Sequence, residues 1–173
     1  MKTKRYARAL LVFLVVFLNV GCDQISKEAA RKNLQEKEVV SIVKDNFILT
    51  KVENKGAAMS MGSTMNPTLK LIVLKIIPII ILLGLFGIAI RKKDVTVISS
   101  VALAFIIGGG IGNIYDRFLY NSVTDFMHID LGGVFKTGIF NMADVSVVVG
   151  TLLILTHALF TYKKQAKVTS EEK

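Results

Sequence analysis

Three carboxylates stand where an apolar sequence should carry none. Asp116 follows directly on a long hydrophobic run (95–114), Asp144 interrupts another (139–160), and Asp125 lies in the polar stretch between them. An ionisable group at the edge of hydrocarbon is costly to desolvate, so a chain that keeps several there is using them. Asn113 and Arg117 are four residues apart and share a helical face, with Asp116 alongside; Asn141 and Asp144 are three apart and share another. If the loop carrying Asp125 folds back over Asp144, like charge and low dielectric disfavour double ionisation, and the pair holds one proton between them. One carboxylate can then take a proton from water while the other donates one to a scissile carbonyl oxygen. That is acid–base hydrolysis of a peptide bond without metal, cofactor or covalent intermediate.

Other chemistries fit the residues less well. Ser60 and Ser146 have no obvious base, because the one lysine inside a span, Lys75, sits on a different helix and need not reach either. Cys22 is the only cysteine, which excludes an intrachain disulfide, and His128 and His157 stand too far apart for a metal-ligand cluster. Several polar residues have plainer readings. Asp116 with Arg117 reads first as a helix-terminal ion pair, and Asp23 with Lys27, at i and i+4, as an interfacial one. Asn113 and Asn141 suit interhelical hydrogen bonding as well as a site. Gly108, Gly109, Gly110 and Gly112 read as close helix packing, since no strand precedes them as a phosphate loop requires. Lys75 and His157 are given no role.

The elements that must position these residues are membrane helices. Of 173 residues 52% are hydrophobic and mean hydropathy is +0.54, too apolar for an ordinary soluble domain. A basic start (MKTKRYAR) and an apolar run ending Leu18-Asn19-Val20-Gly21-Cys22 imitate a cleaved lipoprotein leader. Asn19 occupies the place where that box needs an aliphatic residue, and three more hydrophobic runs follow. The expectation is an uncleaved first span, about 7–25, then spans at about 70–90, 95–114 and 139–160, in one domain of 1–173. Each is long enough to cross roughly 30 Å of hydrocarbon. Between the first two, about 26–68, lies a polar extracytoplasmic segment in which Val39 to Val43 and Phe47 to Val52 flank Lys44-Asp45-Asn46, which predicts a hairpin. The segment from Glu53 to Gly62 is small and flexible enough to approach an extended peptide.

The formal charge of +9 is a topology signal. Lys2, Lys4, Arg5 and Arg8, then Arg91, Lys92 and Lys93, then Lys163, Lys164, Lys167 and Lys173 fall on one side with few acids, and the basic residues opposite are nearly balanced. Both termini are therefore expected in the cytoplasm and the polar cluster at the outer leaflet, with no nucleic acid needed to explain the charge. A small transporter, or an assembly subunit with polar helix glue, are the rival readings. A transporter predicts polar residues through the bilayer, whereas the acids here cluster at one face.

At these residues the chain resembles the signal peptidase II family of bacterial membrane aspartyl proteases. The likeness rests on Asp23-Gln24-Ile25-Ser26-Lys27, Asn54-Lys55-Gly56-Ala57-Ala58, Gly112-Asn113-Ile114-Tyr115-Asp116-Arg117, Val123-Thr124-Asp125-Phe126 and Phe140-Asn141-Met142-Ala143-Asp144, in that order over nearly the whole chain. The resemblance implies a four-transmembrane-helix bundle with a small extracytoplasmic β-sheet lying on the membrane surface. It implies a catalytic dyad of Asp125 and Asp144, with Asn54, Gly56, Asn113, Arg117, Asn141 and Ala143 lining or supporting the substrate groove, and Asp23, Lys27 and Asp116 as structural polar residues. The implied substrates are diacylglyceryl-modified prolipoproteins, cut just before the lipidated cysteine at the outer face of the bacterial inner membrane. Membrane lipids and the cyclic peptide globomycin are further implied partners, and a monomer the implied state. Met59 stands where the family has a larger aromatic residue, and Val145 where it often has a small hydroxyl residue.

Overall fold

The computed structural model describes residues 2–57, 61–92, 95–132 and 135–171, and side chains within 5–162 of these. Met59, Lys93 and the side chains of Lys2, Lys4, Lys163, Lys164, Lys167 and Lys173 lie outside the described set. Four helices are long and apolar enough to cross a membrane: α1 (Lys2–Asn33), a composite of α2 (Pro67–Leu71), a π turn (Ile72–Ile76) and α3 (Ile77–Arg91), then α4 (Val97–Leu119) and α5 (Met142–Glu171). Their outward faces leave Phe17, Ile80, Leu83, Leu155 and Phe160 more than half exposed, as lipid-facing residues are.

Three of the expected boundaries move, each for a physical reason. The first span runs to Asn33 rather than to about 25, and 32 residues at 1.5 Å each exceed the hydrocarbon thickness, so its end projects beyond. The projecting turns carry Ala30, which with Leu34 just beyond the helix buries against Phe126, Leu49 and Met142 and thereby pins the sheet. The third span runs to Leu119 rather than to about 114, because the charge of Asp116 is satisfied inside the protein and does not end the helix. The fourth starts at Met142, since Phe140 bridges to Met127 and holds the preceding residues extended. The π turn precedes Pro78, which has no N–H to give to Leu74; the ladder widens there, with Ile77 N–H bonding Ile72 O.

The expected hairpin is present as β1 (Val40–Val43) and β2 (Phe47–Asn54). The stretch carrying Asp125, read from the sequence as a loop, contains a third strand, β3 (Val123–Ile129), antiparallel to β2, so the sheet order is β1-β2-β3. Asp125 and His128 break its apolar alternation, which hides it from pattern reading. Helix α4 ends with Asn121 in the left-handed region (φ 55°), a C-terminal turn that asparagine tolerates, and β3 begins two residues later.

The glycines of α4 serve packing. A Cβ on Gly108 would meet Asn19 of α1, one on Gly109 Val147 of α5, and one on Gly110 Leu82 of α3. Helix α4 is thus the centre of the bundle, and the apolar core forms where Val12, Ala89, Leu103, Ala104 and Ile107 meet. Asn19 accepts from Ser146 Oγ at 2.7 Å and ties α1 to α5.

Candidate active site

Strand pairing supplies the first half of the site. Val52 lies opposite Asp125 and Asn54 opposite Val123, so Asn54 and Asp125 are diagonal neighbours on one face. Asn54 Nδ2 donates to Asp125 Oδ2 at 3.0 Å, and Asn54 Oδ1 accepts the Gly56 N–H at 3.0 Å, folding the chain after β2 back across the strand end. Asp125 was expected in a loop, but the strand fixes it far better than a loop would.

Helix capping supplies the second half. Asn141 stands just before α5 and Asp144 in its first turn. Asp144 N–H donates to Asn141 Oδ1 at 3.0 Å, and Asn141 N–H to Asp144 Oδ2 at 3.1 Å, a reciprocal capping box with aspartate in the acidic position. The Asn141 amide group then donates to Asp125 Oδ1 at 2.6 Å and to Asn113 Oδ1 at 3.1 Å. Asn113 Nδ2 donates to Asp144 Oδ1 at 2.9 Å. The two carboxylates, from β3 and α5, therefore share one asparagine: Asn141 donates its amide group to Asp125 and its backbone N–H to Asp144, while Asn54 holds the other oxygen of Asp125 and Asn113 that of Asp144.

Asp125 is 5% exposed, whereas Asp144 is half-buried. The Asp125 carboxyl is raised to about 6, chiefly by burial and also by the charge of Asp144, against the hydrogen bonds from Asn54 and Asn141 and the charge of Lys27. Arg117 closes the site on the sheet side, its guanidinium donating to Gly56 O at 3.0 Å and to Asn113 O at 3.3 Å.

Behind the asparagines lies a buried ionic network. Lys27, fully buried, pairs with Asp23 at 2.8 Å and Asp116 at 3.1 Å and donates to Asn113 Oδ1 at 2.9 Å. Asp116 also pairs with Arg31 at 3.0 Å and accepts from Thr124 N–H at 3.2 Å and Gln24 at 3.1 Å. Asp23 accepts the Ala143 N–H at 2.9 Å, holding the first turn of α5. Two expectations change here. Asp23 and Lys27 pair in the protein interior and not at the interface, and Asp116 pairs with Lys27 and Arg31 while Arg117 turns to backbone carbonyls.

The structure thus brings Asn54, Gly56, Asn113, Arg117 and Asn141 together around Asp125 and Asp144, with Ala143 buried behind them. Sequence reasoning did not single out Arg31 or assign Gln24 a part. Their signal was the stripe of polar residues at 23, 24, 27 and 31, which three- and four-residue spacing places on one face of α1. A cavity of about 680 Å³ is an apolar groove among α1, α3 and α4 whose lining includes neither aspartate, so it is not the reaction chamber.

The family model described as signal peptidase (SPase) II matches residues 15–160 of the chain. A lipoprotein signal peptidase of Clostridium acetobutylicum is 32% identical over 154 residues, covering 89% of this chain and 95% of that protein. One of Borrelia turicatae is 37% identical over 159 residues, covering 89% and 92%. A solved structure described as a bacterial membrane enzyme superposes with a TM-score of 0.78 at 27% identity over 88% of this chain and 90% of its own.

Proposed function

The chain belongs to the signal peptidase II family, and on that premise we propose that Asp125 and Asp144 are the dyad with which it cuts its substrate. As a member it is a multi-pass membrane endopeptidase that removes the signal peptide from prolipoproteins. The observation that carries the dyad is that Asn141 donates to both carboxylates, with burial raising the Asp125 carboxyl from its ordinary value to about 6.

The chemistry follows from this asymmetry. Asp144, at the positive amino end of α5 and facing the half-open side, takes the proton from the attacking water. Asp125, more deeply buried, donates its proton to the oxygen of the scissile carbonyl. Collapse of the tetrahedral intermediate returns a proton to the leaving amine and resets the pair. Asn54 and Asn141 fix the orientation of Asp125, and Arg117 with Gly56 braces the segment over which an extended peptide would lie. The structural polar set of Asp23, Lys27 and Asp116 holds α1, α4 and α5 together beneath this point.

The whole chain, 1–173, acts as one domain and as a monomer, with both termini in the cytoplasm and the sheet lying on the outer surface of the inner membrane. The charge distribution supports this orientation. The substrate is cut just before its diacylglyceryl-modified cysteine, positioned by burial of its own acyl chains, and globomycin-type cyclic peptides occupy the same groove. The test is cleavage of a diacylated precursor peptide by the detergent-purified protein. Asp125→Asn and Asp144→Asn should each abolish turnover with a thermal transition retained; wild-type-like turnover by either variant removes the dyad assignment.

A further inference from the structure

A second cavity, about 400 Å³, lies where α2 and the π turn meet the end of α4. Four cations line it, Lys55, Lys70, Lys75 and Arg117, and no acidic residue does. Among the described residues none of the four takes part in a salt bridge, and of the four only Arg117 has carboxylates acting on it at longer range, those of Asp125, Asp144 and Asp116. Lys75 Nζ spends one donor on Asn121 Oδ1 at 3.0 Å and stands 5.0 Å from the Phe118 ring. Two Arg117 donors go to the Gly56 and Asn113 carbonyls.

Cations gathered in one pocket repel one another, and an anion that joins them relieves that repulsion. An occupant with several charged oxygens, able to meet three ammonium groups and a guanidinium at once, matches this lining, and a phosphate has that form. The position narrows the source. Lys70 and Lys75 belong to a membrane-crossing helix, within its first three turns. Phe118, against which Lys75 stands, also lines the 680 Å³ apolar groove, together with Tyr115 and Leu119 of the same helix end. A charged pocket adjoining a long greasy groove matches a phospholipid, phosphate in one and acyl chain in the other.

We infer that the Lys55–Lys70–Lys75–Arg117 pocket binds the phosphate of an anionic membrane phospholipid whose acyl chain lies in the groove formed by α1, α3 and α4. The diacylglyceryl group of the proposed substrate carries no phosphate, so the occupant inferred here is not the substrate's own lipid. Arg117 lines the pocket while holding Gly56 and Asn113, so an occupying headgroup would brace the active site through Arg117.

The full chain, purified in detergent and stripped of lipid, is titrated with phosphatidylglycerol, phosphatidylcholine or inorganic phosphate, reading thermal transition and lipid retained in native mass spectra. Phosphatidylglycerol should raise the transition by several degrees and stay bound. Lys70→Gln/Lys75→Gln should weaken this at least tenfold, while Lys32→Gln, an exposed outer-end lysine paired with Glu28, should not. Lys55→Gln, on the segment after β2, gives a second reading if the double variant does not fold, with an expected loss of about threefold. Equal binding by wild type and pocket variants overturns the site. Equal response to phosphatidylcholine removes the anionic requirement. A full shift from inorganic phosphate alone assigns the pocket to free phosphate and sinks the lipid.

Discussion

Asn141 and Asp144 cap one another, backbone amide to side chain in both directions at 3.0 and 3.1 Å, and this box is what aims Asp144 toward Asp125. The same asparagine reaches Asp125 with its amide group, so one residue serves helix stability and site geometry through different atoms.

Those two duties can be separated. Asn141→Ala loses the cap and the link to Asp125 together, and should cost about 1 kcal/mol of stability with a fall in kcat of about 10²-fold or more. Asn141→Ser keeps a capping oxygen but has no amide to give Asp125, so it should hold the wild-type thermal transition and still lose activity. A serine variant with normal turnover would mean that the Asn141 contact to Asp125 does not matter for chemistry.

The buried carboxyl of Asp125 makes stability depend on pH in a stated direction. Its folded value, about 6, lies above the ordinary 3.8, so folding favours the protonated form. The stabilisation is fully present below pH 3.8 and is lost as pH rises through about 6. Asp125→Asn, which cannot ionise, should therefore be more stable than wild type at pH 8, by at most about 2–3 kcal/mol, and show little advantage at pH 4. Thermal unfolding at the two pH values checks this; an advantage that does not change with pH contradicts a buried, protonated Asp125. In the same reading kcat/KM declines above about pH 6, the apparent value belonging to the coupled pair of Asp125 and Asp144.

Lys27 is the cation on which the interior depends. It is fully buried between Asp23 and Asp116, so Lys27→Met leaves two carboxylates facing each other without their shared partner and should cost about 3–5 kcal/mol. Adding Asp23→Asn should restore part of that loss by removing one of the stranded charges. Chemical denaturation of the single and double variants in detergent reads both numbers, and a double variant no more stable than the single one refutes the pairing.

The membrane helices, the hairpin and the grouping of Asn113, Arg117, Asn141 and Asp144 were legible because apolar runs and three- or four-residue spacing encode them directly. Strand β3 was not, because its register comes from pairing with β2 and its own pattern is broken by Asp125 and His128. The partner of Asp116 was also hidden. Lys27 and Arg31 lie some ninety residues away in sequence, and only the packing of α1 on α4 through Gly108 and Gly112 brings them in. Asn141 with Asp144 could have been read as a capping box, since the spacing is plain, but aspartate in place of the usual glutamate made it look like a bare pair of polar residues.

Arg117 offers the sharpest division between holding and reacting. Its guanidinium bridges Gly56 O and Asn113 O, joining the segment after β2 to α4, and it touches neither aspartate by a hydrogen bond. Removing it should loosen the surface on which an extended peptide lies before it disturbs the proton inventory of Asp125 and Asp144. Arg117→Ala is therefore expected to raise KM for a diacylated precursor about tenfold or more, with the pH dependence of turnover keeping its shape. Arg117→Lys, which can reach one carbonyl but cannot span both, should fall between. Should Arg117→Ala instead lower kcat with KM unchanged and displace the pH profile, the guanidinium acts on the reacting carboxylates themselves and the bracing role assigned to it is wrong.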